Sequence, residues 1–386
     1  MIMVFPFSMP GVNYFGSGAL AQLSTELLGR GAKKIFLISD QKVAGAGLVD
    51  LVEKEISEAN AKMITYLDVK PEPSIDDLES CLAVFKVHQC DLIIGLGGGS
   101  SLDVAKGVSV LATCGGTIID YVGVNLVPGK GIPKVLIPTT AGTGAEVTKN
   151  AIFTDPVAQL KKGVVSIHLL PEVAIVDPDL TFSMPPAVTA STGMDALTHA
   201  IESYTSPKAT IQTDMYALKA IELIGENLRR AVSFGADKKA REAMALGSVF
   251  AGISLANAGV GAVHACAYPL GGQFGTGHGV TNALLLPYIM EKNLVGDLQK
   301  FANIARALGE VTELLPLREQ AQLAPVAVFA LSRDIGIPQK LSHFGVKKED
   351  IDGLAEAAMQ VTRLMDNNPK KLTLEEVKSC LYRALD

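Results

Sequence analysis

The sequence predicts two halves of different class, an α/β half over residues 1–184 and an all-helical half over residues 185–386. Three observations predict it. Up to about Ser183 short β-rich runs alternate with helix-length segments; from "MPPAVTAS" onward the strand signals vanish; and 386 residues exceed what one hydrophobic core usually supports.

In chain order, the β-rich runs are "KKIFLISD", "AKMITYLDV", "CDLIIGLGGGS", "KVLIPTT" and "EVAIVDPDL". Helix-length segments such as Val43 to Ala61 and Ser74 to His88 separate them, which is what a parallel sheet with crossover helices requires. The adjacent Pro185 and Pro186 suit a boundary, since proline is tolerated in a first helical turn and breaks an interior one. Beyond them Ala187 to Ser206, Thr210 to Val232 and Lys238 to Ala258 carry helical apolar spacing. "DNNP" at Asp366 to Pro369 punctuates two final helices.

Composition narrows the function classes. Apolar residues make up 48% of the chain, yet no uninterrupted apolar run approaches the roughly eighteen residues that spanning a bilayer needs. Pro6 and Pro10 interrupt the apolar start and the first basic residue is Arg30, so a secretory signal is not expected and the cytoplasm is the default location. Cys81, Cys90, Cys114, Cys266 and Cys380 form no C-x-x-C pair and read as reduced thiols. The formal charge of −6 is spread without a basic run, leaving nucleic acid and anionic membranes no electrostatic footprint and making small molecules the expected partners. A homodimer or larger homo-oligomer is expected.

The first chemistry lies in "DLIIGLGGGSSLDVAKG". An apolar strand runs into Gly97, Gly98 and Gly99, and Ser100 opens an amphipathic stretch. Glycines let a bulky anion approach the backbone, and the N–H groups and positive dipole end of the following helix face it, so a pyrophosphate fits. The alternative is a tight strand-to-helix turn with Ser100 as N-cap and Asp103 completing a capping box. The pattern is not G-x-G-x-x-G, and the best carboxylate for a ribose diol, Asp40, precedes the glycines rather than following them. Asp40 would favour NAD over NADP by repelling a 2′-phosphate, or else serve as a turn or capping residue. A second loop, "PTTAGTGAEVT", follows another short apolar strand with hydroxyls and glycines.

The second chemistry lies in the helical half. In "MDALTHAIESY" Asp195 and His199 stand one turn apart on one helix face, an arrangement that alone is more often a local contact than a ligand pair. "HACAYPLGGQFGTGH" adds His264 and His278. One carboxylate oxygen and three imidazole nitrogens make a complete ligand set for Fe(II), Zn or a similar divalent ion. His88 and His343, in polar contexts, are left as ordinary imidazoles.

Together "GLGGGSSLDVAKG", "PTTAGTGAEVT", "MDALTHAIESY" and "HACAYPLGGQFGTGHGVTNALLLP" resemble the iron-dependent (group III) alcohol dehydrogenase family, over essentially the whole chain. The resemblance implies an α/β N-terminal dinucleotide-binding domain plus an all-α, metal-binding catalytic C-terminal domain, the architecture shared with dehydroquinate synthase. It implies Asp195, His199, His264 and His278 as metal ligands, with Fe(II) first and zinc as the alternative. Gly97, Gly98, Gly99 and Ser100 would hold the pyrophosphate of NAD, with Thr139, Thr140 and Lys162 also near the cofactor and Asp40 at the adenine ribose. Asn150 and Leu255 match positions that line the substrate pocket. Some members carry a second histidine four residues after the ligand that His264 matches, credited with substrate binding or proton relay; here it is Tyr268. A phenol can donate a hydrogen bond and close a pocket, but a pKa of about 10 makes it a poorer shuttle at neutral pH.

The implied activity is NAD(H)-linked interconversion of small primary alcohols and aldehydes, the metal acting as a Lewis acid on the substrate oxygen. A glycerol dehydrogenase-like polyol oxidoreductase is the nearer rival. A dehydroquinate synthase-like lyase ranks lower, because His264 to His278 offers no basic cluster for a phosphorylated acidic substrate.

Overall fold

The computed structural model describes residues 5–157 and 160–385. The chain divides into two compact units, one of Ser8–Met184 and one of Pro185–Asp386. The described N-terminal residues 5–7, which the sequence assigns to the α/β half, belong instead with the helical unit. Ring stacking accounts for this: Phe7 lies on Tyr216 with centroids 5.9 Å apart.

In the first unit β1 (Val12–Phe15), β2 (Lys34–Ile38), β3 (Lys62–Tyr66), β4 (Leu92–Gly97), β6 (Lys134–Pro138) and β9 (Val173–Val176) form a six-stranded sheet in the order β1-β9-β6-β4-β2-β3. Every pairing in it is parallel. Such a sheet must be covered on both faces. One face buries Phe36, Ile38, Ile93 and Leu136 with Leu78, Leu82 and Val108; the other buries Ile35, Leu37, Ile94 and Val135 with Leu23, Val52 and Ile56. The alternation along β2 and β4 therefore divides one continuous apolar run between two cores. The crossovers include α1 (Gln22–Arg30), α2 (Gln41–Gly45), α3 (Leu48–Glu58), α4 (Ile75–His88) and α5 (Gly99–Cys114). Ser74 and Asp77 close a reciprocal capping box on α4.

A second, three-stranded sheet is not foreseen by the strand pattern: β5 (Gly123–Val124), β8 (Leu160–Val165) and β7 (Asn150–Asp155), in that spatial order, with β7 and β8 antiparallel.

The topology positions the first site. Strand β4 lies between β2 and β6, all running the same way, so the segments after them leave one end of the sheet. Asp40, the glycine loop and Thr139–Thr140 are thereby brought to neighbouring strand ends, where α/β sheets commonly bind ligands. It also explains the unusual order of acid before glycines: the acid follows β2, and the glycines follow β4, two strands later in sequence but adjacent in space.

The second unit is helical, from α6 (Pro186–Thr205), α7 (Ile211–Ser233), α8 (Lys238–Ala258), α9 (Ala262–Phe274) and α10 (His278–Asn293) through α11 (Leu298–Ala307), α12 (Leu317–Asp334), α13 (Ile351–Met359), α14 (Thr362–Met365) and α15 (Leu374–Leu385). Pro186 stands at the start of α6, where its missing N–H costs nothing. Among the described residues no single helix is long and apolar enough to cross a membrane.

Candidate active site

Helices α6, α9 and α10 deliver the four ligand candidates. Asp195 and His199 project from one face of α6, with Asp195 Oδ1 3.8 Å from His199 Nε2. His264 lies in the first turn of α9, and its Nε2 is 4.0 Å from the same carboxylate oxygen. Helix α9 ends at Gly275 in the left-handed conformation, and α10 opens on His278, whose Nε2 is 3.7 Å from Asp195 Oδ1. One ligand atom from each residue falls in a group whose members all lie within 4.8 Å of one another. A glycine makes the close approach of α10 to α6 possible. A Cβ on Gly279 would stand 2.4 Å from Ser191 O and 3.3 Å from Asp195 Cβ, so any side chain there would force His278 away.

Two further residues complete this centre, and the motif reading did not single them out. Glu202 is buried one helical turn beyond His199. Its Oε1 accepts the Val263 N–H at 2.7 Å, and its Oε2 lies 2.6 Å from His264 Nδ1. Since an ionised carboxylate only accepts, His264 must carry its proton on Nδ1, which leaves the Nε2 lone pair facing Asp195. Asn282, fully buried one turn after His278 on α10, donates through Nδ2 to Asp195 Oδ1 at 2.8 Å. Both had a sequence signal: Asp195, His199 and Glu202 share an i, i+4, i+7 face, and His278 and Asn282 are i, i+4 neighbours.

The electrostatics favour a cation. Asp195 and Glu202 are both buried, and among the described residues neither forms an ion pair with Lys or Arg. Burial by itself pushes the Asp195 carboxyl up, but His199, His278, His264 and the Asn282 N–H outweigh it and hold the group at about 2. Two buried carboxylates and three imidazoles, His264 with its Nε2 lone pair turned inward, form a nitrogen- and oxygen-bearing cage. Its chemistry fits a divalent transition metal.

Tyr268 lies one turn beyond His264 on α9, its ring centroid 6.3 Å from that of His278. It packs with Leu255, Val260, Val361 and Met365 in an apolar cluster.

In the α/β unit, Gly97 ends β4 with φ at 144°, a conformation that side chains rarely adopt, and a Cβ there would meet Ser101 Oγ at 2.7 Å. Helix α5 begins two residues earlier than the capping-box reading has it. Its N-cap is Gly98, and Ser100 is inside the first turn. Asp103 does not cap: it accepts the Ile152 N–H at 2.9 Å and faces Lys106. Without a capping side chain, the first-turn N–H groups of this 16-residue helix remain available to an anion. Ser101 Oγ is buried with no hydrogen-bond partner among the described residues, and Thr139 N–H donates to Gly97 O at 3.0 Å, tying the second loop to the first. The cradle and its N–H and hydroxyl donors fit a pyrophosphate.

Asp40 takes the capping role of the two alternatives. Oδ1 caps α2 by accepting from Lys42 and Val43 N–H, while Oδ2 faces the glycine loop, 3.6 Å from where a Gly97 Cβ would stand. Thr140 lies near Gly98, 3.5 Å from a Cβ built there. Lys162 sits on β8 opposite Phe153, on the small sheet rather than on either loop. Asn150 opens β7, its main-chain oxygen held by the buried Lys106 Nζ at 2.7 Å. Asn150 and Leu255 belong to different units.

Comparison with known proteins finds matches along both parts of the chain. Residues 10–178 match the family described as iron-containing alcohol dehydrogenase, and residues 189–385 match the C-terminal domain of the Fe-containing alcohol dehydrogenase family. The chain is 42% identical over 378 residues to long-chain-alcohol dehydrogenase 1 of Geobacillus thermodenitrificans, covering 97% of this chain and 95% of the relative. It is 38% identical over 379 residues to the NAD-dependent methanol dehydrogenase of Bacillus methanolicus, covering 98% and 99%. A solved structure of 1,3-propanediol oxidoreductase superposes with a TM-score of 0.97 at 39% identity, over 99% of this chain and all of that one.

Proposed function

The chain belongs to the iron-containing alcohol dehydrogenase family, and from that premise we propose which of its residues carry the activity. It is a metal-dependent, NAD-linked oxidoreductase acting between alcohols and aldehydes. In our reading Asp195, His199, His264 and His278 hold the divalent cation, Fe(II) before zinc. Gly97, Gly98, Gly99 and Ser100, with Thr139, Thr140, Lys162 and Asp40, serve NAD. When bound, the cation supplies Lewis acidity toward a hydroxyl or carbonyl oxygen, and NAD accepts or returns the hydride.

The protein's own part is positioning. Glu202 fixes the His264 tautomer and thereby aims Nε2 inward. Asp195 keeps its negative charge throughout the neutral range, because its carboxyl is held at about 2. Tyr268 places a phenol beside His278, able to donate a hydrogen bond to a substrate oxygen and to close the pocket on one side. Leu255, within the apolar cluster beside Tyr268, suits the alkyl portion of a small primary alcohol or aldehyde, and Asn150 is a second candidate substrate residue. Relatives named for methanol and 1,3-propanediol support that class. We place the enzyme in the cytoplasm, in keeping with five scattered cysteines that form no disulfide among the described residues, and expect it to be a homo-oligomer.

One observation carries the reading: a carboxylate oxygen and three imidazole nitrogens from three helices meet within 4.8 Å. The test is uptake of Fe(II) and zinc by the metal-free protein, combined with an NADH-coupled screen of short aldehydes and alcohols. Stoichiometric uptake with turnover supports it; a protein that binds NAD yet takes up no divalent cation overturns it.

A further inference from the structure

The carboxamide of Asn282 stands at the centre of the ligand set. Its Nδ2 is 2.8 Å from Asp195 Oδ1, 3.1 Å from His264 Nε2 and 3.2 Å from His278 Nε2, so one nitrogen is within hydrogen-bond reach of three of the four candidate ligand atoms. The residue is wholly buried, and its Oδ1 is buried without a hydrogen-bond partner among the described residues. The amide thus leaves one polar atom unsatisfied while directing its donors at the ligands, a cost that core packing alone gives no reason to bear. A turned-over amide would instead set Oδ1 against the Asp195 carboxylate, acceptor facing acceptor.

An NH2 group has two hydrogens and here meets three acceptors. The shortest contact goes to the carboxylate, and a charge-assisted bond is the strongest of the three, so one hydrogen belongs to Asp195 and the other is shared between the two imidazoles. These two roles differ once a cation arrives. An imidazole lone pair that binds a cation can no longer accept, so the shared hydrogen bond is given up. A carboxylate oxygen has a lone pair to spare and keeps its donor.

We propose that Asn282 is a positioning residue of the cation site, anchoring Asp195 Oδ1 at the spacing the three histidines require, in both the metal-free and the loaded protein. This rests on the reading of Asp195, His199, His264 and His278 as ligands. The anchor works through the carboxylate's orientation: a carboxylate in a helix side chain can turn about its own bonds, and a fixed N–H donor from α10 removes that freedom, so the cation meets a ligand atom already aimed.

Asn282→Leu, close in shape and lacking any donor, and Asn282→Ala, which cannot clash, test it by chelator-competition titration of the metal-free protein with zinc and with Co(II). Both variants are expected to bind each ion roughly ten- to a hundredfold more weakly, the usual loss when the partner of a ligand is removed. The Co(II) absorption bands are expected to shift in position. Unchanged affinity and unchanged bands in a folded variant would overturn the proposal and leave Asn282 a packing residue. Tighter binding would overturn it differently, showing that the amide competes with the cation for the imidazoles. If the unaltered metal-free protein takes up neither ion, the ligand reading itself fails, whatever the variants do.

Discussion

Around Asp195 the helical unit gathers side chains from three helices, whereas around Gly97 the α/β unit exposes main chain at the ends of three neighbouring strands. The difference teaches how each site can be damaged. At the first, removing an atom matters, because the ligands are side-chain termini and Glu202 and Asn282 hold His264 and Asp195 in place. At the second, adding an atom matters, because the space is defined by what the glycines omit.

The comparison is sharpened most by His264→Ala. It removes one nitrogen from the cage, and cation affinity should fall by more than the roughly 100-fold that loss of an outer partner costs, taking turnover with it, while NAD affinity stays nearly unchanged. Metal content, turnover and an NAD titration read all three, and a normally active variant would break the ligand assignment. Next in size is Glu202→Gln. The amide can still accept from Val263 N–H but loses the charge facing His264 Nδ1, so cation affinity should drop by about 10–100-fold, measured by chelator competition.

For the main-chain site the matching change adds a methyl group. Gly97→Ala, at φ 144° and 2.7 Å from Ser101 Oγ, should lower stability by about 1–3 kcal/mol and weaken NAD binding while leaving cation affinity intact. Thermal unfolding and paired titrations check it; equal loss of both affinities would dissolve the contrast between the two regions. A smaller effect is expected at Asp40. Because glycine caps a helix nearly as well, Asp40→Gly should cost only a few tenths of a kcal/mol in α2 and yet relax the preference for NAD over NADP. An unchanged cofactor ratio would leave Asp40 a capping residue.

A last test concerns stability rather than ligands. Glu146 is buried in the α/β unit, and burial pushes its carboxyl from 4.5 up to about 7. The folded chain therefore holds this proton more tightly than the unfolded chain does, and its contribution is present in full below 4.5 and lost as pH rises through about 7. Glu146→Gln, which cannot ionise, should gain on the parent enzyme in melting temperature between about pH 5 and about pH 7 and hold that gain above it. A difference that does not vary with pH would show that the folded chain holds this proton no more tightly than the unfolded chain does.

The two sites differed in legibility for the same reason. Ligand side chains are rare residue types, so Asp195, His199, His264 and His278 could be read off one by one, and only their meeting point needed coordinates. The glycine loop was readable from composition, but which residue starts α5 depends on local hydrogen bonding: Ser100 has the chemistry of a cap, and Gly98 takes the position. Glu202 and Asn282 lay on the right helical faces, yet an acid or amide at that spacing is ordinary on an exposed helix, and only burial distinguishes them. The buried Lys106, held by Thr148 and the Asn150 carbonyl, gave no sign at all, because a lysine in an amphipathic stretch reads as solvated. The small sheet escaped because its strands are short and carry polar residues, as in "NAIFTD", and alternation over so few positions carries little information.

At position 279 the wall of α6 leaves room for hydrogen and nothing larger. A survey of other chains for this arrangement should therefore treat that blank as a letter of the signature alongside the imidazole before it. A chain with all four donors but a methyl group there would carry the right vocabulary and be unable to assemble it.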